Sequence, residues 1–436
     1  MKKLFSLISL VFCLPISAQT EQEKLESLLQ SLPDVSFQKI SKPNDAYLKY
    51  NLTVQQAVNH KSPKSKQFLQ TVILTHKGFD KPTVMETQGY TLENADNEIA
   101  LLLNANNLNI EHRFYGKSVP DSLQWDCLNF EQEAADLHHI NELFRKIYPN
   151  KYISTGISAG GVQTILYNYF YPADLDAAVP YVAPINNGLE DKRIYDFLDT
   201  VGSAECRKKI ADFQIFLLQH ETEAIDKVKW FCLARHLTFT NVESIGKAFE
   251  YAVLEYSFAF WQYGNTTCVD IPTNNSVDAY LEHLLAVSDI SFYSDRAIKS
   301  LEPHYYQVAT ENGYYGYKIA PFKSYLHFLP TTQNPSAIFC TPRTAKHKPY
   351  NGSLFQKVTM WVNQNANNMI YIYGGADPWA ACRVVISSKV NSKIFLLPHA
   401  AHEASKIKNM SPDMKKSVAD LLAKFSGSAV NLDALK

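Results

Sequence analysis

The chain has 436 residues, of which 46% are hydrophobic and 19% are charged. This length exceeds one minimal core and predicts either two domains or one large domain with an insertion. Lys and Arg number 42 and Asp and Glu 43, so the formal net charge is -1. A balance this even argues against nucleic-acid or anionic-membrane partners, since both depend on a basic surface.

The first eighteen residues have the pattern of a secretory signal peptide. Lys2 and Lys3 precede an apolar stretch, 4–16, which is too short to span a membrane, and the small residue Ala18 follows. We expect cleavage after Ala18 and export to the periplasm or the medium without a membrane anchor. Six of the seven cysteines would remain, an even number that allows disulfides. Because no C-x-x-C spacing occurs, neither a zinc site nor a redox motif is predicted.

Strand and helix patterns alternate along the first part of the mature chain, which predicts a doubly wound, mostly parallel sheet. The predicted elements are a helix at 21–32, strands at 68–75 and 83–87, a helix at 97–103, a strand at 108–114, a helix at 130–148, a strand from 152, a helix after 158 and a strand at 177–182.

The pattern changes after residue 185 and becomes helical and strongly aromatic until about residue 351. Strands at 369–373 and 394–397 and a helix at 410–425 then resume the alternation. We therefore expect one α/β core formed by 19–185 and 352–436. Residues 186–351 would form a large helical lid insertion above the carboxyl ends of the strands, where sites in such sheets lie.

Residues Gly156-Ile157-Ser158-Ala159-Gly160 fit the pattern G-x-S-x-G between a predicted strand and a predicted helix. The pattern is typical of a nucleophile on a sharp, strained turn, where small neighbours let the chain pack closely. Ser158 would act as the nucleophile, and the amide of Ala159 would stabilise the oxyanion from a helix N-terminus. The alternative is a glycine-rich corner with an inert serine.

In hydrolases with this turn, an acid and then a histidine follow the serine along the chain. Asp377 follows one predicted buried strand, and His399 and His402 follow the next. We predict Asp377 as the acid and His402 as the base, because His402 lies deeper in its loop than His399. The amide of Tyr90, after an earlier strand, is the candidate second oxyanion donor. The competing interpretations are a turn-forming Asp-Pro and an ordinary strand-ending glycine.

Several segments resemble one family of serine peptidases. They are EHRFYGKS at 111–118, DLH at 136–138, ISTGISAGG at 153–161, YVAP at 181–184, LEYSFAFWQYG at 254–264, GYYGY at 313–317 and YGGADPWA at 373–380. On these segments the chain resembles the secreted bacterial prolyl tri/tetrapeptidyl aminopeptidases, which are distantly similar to lysosomal prolyl carboxypeptidase. The resemblance implies an α/β-hydrolase fold and release of short peptides from free N-termini, often after proline.

Carried over by motif, the resemblance implies a triad of Ser158, Asp377 and His402. Two positions depart from the family pattern. Ala159 stands where a lysine is usual, although a backbone donor survives that change, and Glu403 stands where a glycine usually follows the catalytic histidine. We expect no cofactor and no metal.

The inserted segment would bind the substrate, a peptide with a free N-terminus, and we expect the protein to be a monomer. Phe258 and Trp261 are candidates for an apolar or proline pocket. Glu190, Glu255 and Glu311 are candidates to pair with the terminal ammonium, and the latter two lie beside predicted pocket walls. The competing interpretations are lid packing and solvated helix charges. The alternative function is that of a secreted lipase or esterase with the same triad.

Overall fold

The computed structural model describes residues 19–93, 97–329 and 348–435. The predicted signal peptide, residues 1–18, lies outside these ranges, as does part of the predicted lid, 330–347. Among the described residues, the strands are β1 (Val35–Lys39), β2 (Leu48–Ala57), β3 (Gln67–His76), β4 (Thr83–Thr87), β5 (Asn106–Ile110), β6 (Tyr152–Ile157), β7 (Ala177–Tyr181), β8 (Ile370–Gly374) and β9 (Lys393–Leu397).

The helices are α1 (Glu21–Ser31), α2 (Glu98–Leu102), α3 (Phe130–Phe144), α4 (Ala159–Phe170), α5 (Arg193–Thr200), α6 (Ala204–Gln219), α7 (Glu221–Ala234), α8 (Ile245–Tyr263), α9 (Val277–Val287), α10 (Asp295–Ser300), α11 (Glu302–Gln307), α12 (Ser353–Gln364) and α13 (Pro412–Ser426). Short 3₁₀ turns occupy Trp125–Cys127, Ile290–Tyr293, Ala320–Phe322, Pro378–Cys382, Ile407–Asn409 and Leu432–Leu435, and a π-helical turn occupies Val308–Asn312.

The described strands form one sheet in the order β1-β2-β3-β5-β4-β6-β7-β8-β9. From β5 to β9 every neighbouring pair is parallel, whereas β1, β2, β3 and β5 pair antiparallel. The predicted α/β-hydrolase fold with a mostly parallel sheet is therefore confirmed. The β1–β2 ribbon was not predicted, although Tyr50, Leu52 and Val54 alternate toward the core in the manner of a strand with one buried face.

Helices cover both faces of the sheet, as β8 shows. Ile370 and Ile372 belong to an apolar cluster that includes α13, whereas Tyr371 and Tyr373 belong to a cluster that includes α12. Successive side chains of a strand point to opposite faces, so a strand apolar at every position must be buried on both sides. Because the strands from β4 to β9 run parallel, their carboxyl ends meet at one edge of the sheet.

Helices α5 to α11 lie between β7 and β8 in the chain and form an apolar core of their own. A disulfide between Cys206 and Cys268 joins the first turn of α6 to the segment after α8. Trp379 and Cys382, from the loop after β8, belong to the same apolar cluster. The inserted helices therefore pack directly on a loop of the sheet. No helix in the described ranges has the length and apolarity needed to cross a membrane.

Arg113 is a fully buried cation that joins three parts of the core. Its guanidinium donates two hydrogen bonds of 2.7 Å to Asp136 in α3, and others to the carbonyls of Val58 and Cys127. Burial acts to raise the pKa of Asp136, but Arg113 and His60 outweigh it and hold this pKa below its ordinary value. The pair therefore stays ionised inside the protein.

We predict that Arg113→Met lowers the free energy of unfolding by about 3–5 kcal/mol, because the buried Asp136 would lose its two guanidinium hydrogen bonds and keep the imidazole of His60 beside it. The matched control is Arg235→Met, whose side chain is 58% exposed and faces Asp289 at 3.8 Å. An exposed pair of this kind contributes about 0–1 kcal/mol. Urea unfolding of the two variants measures the difference, and equal losses would refute the structural role of Arg113.

Candidate active site

Ser158 lies on the turn between β6 and α4 in a strained backbone conformation. Its φ of 57° and ψ of -120° are unfavourable for a residue with a side chain. Two hydrogen bonds hold the turn: the Ser158 amide donates to the Tyr181 carbonyl at 2.9 Å, and the Val162 amide donates to the Ser158 carbonyl at 2.9 Å. This geometry is that of a nucleophile elbow, which presents a serine hydroxyl at the edge of the sheet.

Glycines let the chain approach this turn from two sides. A Cβ on Gly156 would lie 2.4 Å from the Gly160 carbonyl oxygen. A Cβ on Gly89, after β4, would lie 2.4 Å from the Cβ of Ala159. The loop after β4 is thus pressed against the first turn of α4, and the next residue, Tyr90, lines the same cavity as Ala159.

Two backbone amides beside Ser158 can bind an oxyanion. The Ala159 amide is the first of α4 and has no partner within its helix. The Tyr90 carbonyl accepts from the His112 amide at 3.2 Å, but across the described residues the Tyr90 amide has no acceptor. Amides placed in this way can stabilise negative charge that develops on a substrate oxygen.

The loops after β8 and β9 bring an acid and a histidine together. His402 Nδ1 lies 2.7 Å from Asp377 Oδ2, and both residues are buried. The other Asp377 oxygen accepts from the Trp379 amide at 3.1 Å, and the His402 amide donates to the Gln262 carbonyl of α8 at 2.9 Å. The bond at Nδ1 leaves Nε2 as the nitrogen that can accept a proton. His399 is exposed, with a φ of 60°, and does not take this place.

A cavity of about 680 Å³ opens at Ser158 beneath the inserted helices. Tyr90 and Ala159 line it from the sheet side. The residues that line it from the inserted helices and the loop after β8 include Glu255, Tyr263, Tyr293, His304, Tyr315 and Trp379. Ser158 therefore shares a chamber that has several aromatic side chains in its wall with one buried carboxylate.

Glu255 is the buried acid of this cavity. Burial raises its pKa to about 7, and hydrogen bonds from Tyr317 and Tyr315 act in the opposite direction. The Tyr315 hydroxyl lies 2.9 Å from both carboxylate oxygens. The carboxylate is therefore held in place within the wall, and it is poorly solvated before any ligand arrives.

The structure separates Glu255 from two aromatic residues expected at the same site. Glu255, Ala259 and Gln262 line the cavity at Ser158, as expected for one face of α8. Phe258 and Trp261 lie on another face and line a separate cavity of about 220 Å³. The expectation that they contact the substrate is corrected: they pack within the lid.

The other two candidate carboxylates also lie outside the cavity at Ser158. Glu311 accepts a 3.1 Å hydrogen bond from the amide of Phe130, the first residue of α3, and burial raises its pKa to about 7. Glu190 accepts from the hydroxyl of Tyr195. Of the three carboxylates considered from the sequence, the structure brings only Glu255 to the cavity at Ser158.

The sequence interpretation missed several cavity residues. Trp379 follows Asp377 by two positions in a loop at the strand edge, a signal that could have placed it. Tyr293 and His304 come from distant parts of the insertion and carry no local signal. Burial and nearby His112 lower the pKa of His304 to about 4, so its ring is neutral at physiological pH.

Comparison with known proteins identifies the family. The prolyl tri/tetrapeptidyl aminopeptidase of Streptomyces mobaraensis is 28% identical over 421 residues, covering 95% of this chain and 87% of that protein. The solved proline iminopeptidase of Mycobacterium smegmatis aligns over 90% of this chain and 99% of its own, with 12% identity and a TM-score of 0.37. The 2-hydroxy-6-oxo-6-phenylhexa-2,4-dienoate hydrolase of Rhodococcus sp. strain RHA1 aligns over 90% and 100%, with 10% identity and a TM-score of 0.35. The family model for PS-10 peptidase S37 matches residues 19–432. The chain therefore belongs to the PS-10 peptidase S37 family and is a serine peptidase of the α/β-hydrolase fold.

Proposed function

We propose that this peptidase releases tripeptides or tetrapeptides from substrates with free N-termini and cleaves after proline. The observation that carries the proposal is Glu255, a buried carboxylate in the same cavity as Ser158. A peptide ammonium that enters a poorly solvated chamber needs an anionic partner there. A carboxylate held at a fixed distance from the nucleophile would also limit how many residues lie between the N-terminus and the cleaved bond.

The size of the chamber supports a short substrate segment. Its volume of about 680 Å³ falls within the range of roughly 300–1,000 Å³ that is common for sites binding small ligands. Such a chamber holds a few residues of an extended chain and excludes a folded domain. The name of the Streptomyces mobaraensis relative refers to tripeptides and tetrapeptides, which agrees with this size.

The aromatic wall beside the acid loop supports a preference for proline. Tyr314 and Tyr315 stack with ring centroids 4.5 Å apart, and the ring of Trp379 lies beside both, 5.4 Å from Tyr314 and 5.3 Å from Tyr315. All three residues line the cavity, and Trp379 is two positions from Asp377. Flat apolar rings pack well against the pyrrolidine ring of proline, so we place the proline before the cleaved bond here.

In the proposed mechanism, His402 accepts the hydroxyl proton of Ser158 as the serine attacks the carbonyl carbon of the proline. Asp377 orients the imidazole and stabilises its charged form. The amides of Ala159 and Tyr90 donate to the oxyanion. Collapse of the tetrahedral intermediate expels the amine, which takes its proton from His402, and water then hydrolyses the acyl-enzyme by the same steps in reverse.

We further propose that the protein is exported and acts as a monomer on peptides. The N-terminal pattern of 1–18 supports export. The formal net charge of -1 supports neither nucleic-acid nor anionic-membrane partners.

The first prediction from this proposal tests the triad of Ser158, Asp377 and His402. Ser158→Ala and His402→Ala should each reduce turnover by roughly a factor of a million, because the members of a triad act as one unit. His399→Ala should retain turnover close to that of the wild type, since His399 is exposed and Asp377 binds His402. Release of an arylamine from alanyl-alanyl-prolyl arylamide measures the rate, and an inactive His399→Ala with an active His402→Ala would reverse the assignment.

A second prediction concerns Gly89. Gly89→Ala should lower kcat by about 10²–10³, because the added Cβ would clash with Ala159 and move the Tyr90 amide away from the oxyanion. The matched control is Gly188→Ala, where the nearest atom to the new Cβ is 3.8 Å away. Circular dichroism checks that both variants fold. An unchanged kcat for a folded Gly89→Ala would remove Tyr90 from the oxyanion hole.

The third prediction tests the specificity. Glu255→Gln should raise KM for free Ala-Ala-Pro arylamide by about tenfold to a hundredfold, the usual effect of losing a hydrogen bond to a charged group. Glu311→Gln is the matched control. Burial also raises the pKa of Glu311 to about 7, but this residue lies outside the cavity at Ser158. The N-acetylated peptide should already be a poor substrate for the wild type.

The pH dependence sharpens the test of Glu255. The useful quantity is kcat/KM for the free peptide divided by kcat/KM for the acetylated peptide. Both values depend in the same way on the protonation of the triad, so that dependence cancels in the ratio. It should be highest between about pH 7 and 8, because Glu255 becomes protonated below about 7 and the peptide amine, with a pKa near 7.7–8.0, loses its proton above that range. Equal rates on the two peptides would reject the aminopeptidase, and faster cleavage of a short acyl ester alone would favour an esterase.

A further inference from the structure

Two carboxylates and one imidazole converge on the inserted helices, away from the cavity at Ser158. Glu221 is the first residue of α7, Glu250 lies within α8, and His327 follows the 3₁₀ turn at Ala320–Phe322. One oxygen or nitrogen from each lies within 4.8 Å of the others, and His327 Nδ1 is 2.6 Å from Glu221 Oε2. Three potential metal ligands, each from a different segment of the chain, therefore lie close together.

The cluster holds a carboxylate oxygen that lacks a partner. Glu221 is 6% exposed, and its Oε1 receives no hydrogen bond from any described residue. Glu250, beside it, is 0% exposed. Two buried carboxylates beside a single imidazole leave an excess of negative charge, which is costly in a protein interior.

Backbone donors fix the second carboxylate in place. Glu250 Oε1 accepts from the amides of His327 and Phe328, the latter at 2.9 Å, and Oε2 accepts from Leu329 at 2.7 Å. Oε1 therefore has both lone pairs occupied, whereas Oε2 has a further lone pair to offer to a metal ion. Hydrogen bonds of this kind orient carboxylates that coordinate metal ions, so the arrangement resembles a ligand with its supporting shell.

We propose that Glu221, Glu250 and His327 bind a divalent transition-metal ion of the zinc class. Zn²⁺ takes imidazole nitrogen and carboxylate oxygen at about 2.0–2.2 Å and would complete four-coordination with a water molecule. The imidazole favours a transition metal over Ca²⁺ and Mg²⁺, which prefer oxygen ligands throughout. The two positive charges of the ion would offset the charges of the two carboxylates. The ion would also give the Glu221 Oε1 atom a partner.

The ion would have a structural role. None of the three ligands lines the cavity at Ser158, so the site takes no part in the peptidase chemistry. It would join α7, α8 and the segment 327–329, which also contacts α8 through hydrogen bonds to Glu250 and the packing of Phe328 against Gly246. Cross-linking three segments through one ion stabilises the folded state by the free energy of binding.

The test is zinc binding by the untagged, full-length protein after chelator treatment and dialysis. Calorimetric titration with ZnCl₂ should give one site per chain, and the thermal unfolding midpoint should rise with added zinc. His327→Ala should raise the Kd for zinc at least about tenfold and remove the rise in the midpoint. His327 is suited to this test because its side chain is 64% exposed, so its removal leaves the lid core intact.

The matched control is His138→Ala. His138 also lies between two carboxylates, but Asp174 faces its Nδ1 at 2.7 Å and Glu142 faces its Nε2 at 3.7 Å, so the three cannot share one ion. This variant should bind zinc as the wild type does. Absence of one-to-one zinc binding, or an unchanged Kd in His327→Ala, would overturn the proposal. Equal affinity for CaCl₂ would overturn the assignment to a transition metal.

Discussion

The close approach of backbone around Ser158 is the constraint on which the rest of the molecule depends. The strained turn costs of order 1–3 kcal/mol, so it needs a surrounding structure that fixes it. The Tyr181 carbonyl of β7 accepts from Ser158, and the Thr87 hydroxyl of β4 donates to the Gly160 carbonyl at 2.7 Å. Two strands that neighbour β6 therefore hold the turn, and replacing Gly89 or Gly156 would push one of these elements away. The order of strands in the sheet thus positions Ser158 and the backbone amides of Ala159 and Tyr90.

The inserted helices make direct contacts with the loops that carry Asp377 and His402. Trp379, which donates to Asp377, packs in the apolar core of the insertion. The His402 amide donates to the carbonyl of Gln262 near the end of α8, and a Cβ on Gly264 would lie 2.6 Å from the Cβ of Ala401. A displacement of α8 would disturb the loop that carries the histidine. Wide opening of these helices would therefore disturb the loops that carry Asp377 and His402.

The sequence predicted the parallel core well because its signals are local. Strands apolar at every position and a glycine-flanked serine between strand and helix depend on adjacent residues, and the order Ser158, Asp377, His402 follows from the order of strands. The cavity walls could not be predicted in this way. Helix α8 is apolar on most sides, so its pattern does not tell whether Glu255 or Phe258 faces the nucleophile. Glu221, Glu250 and His327 lie too far apart in the chain for any spacing rule to join them.

Helix α8 carries two buried acids, Glu250 and Glu255, whose hydrogen-bond partners differ. Glu250 receives three backbone hydrogen bonds. Among the described residues, the hydrogen-bond partners of Glu255 are neutral tyrosine hydroxyls, and with a pKa of about 7 it holds a proton part of the time at neutral pH. If a peptide ammonium binds there, the ion pair favours the charged carboxylate, so binding must displace that proton. The free N-terminus would then be recognised by exchange of one positive charge for another, which keeps the chamber nearly neutral before and after the substrate enters. An acetylated peptide offers no such exchange and must leave Glu255 either protonated or unpaired.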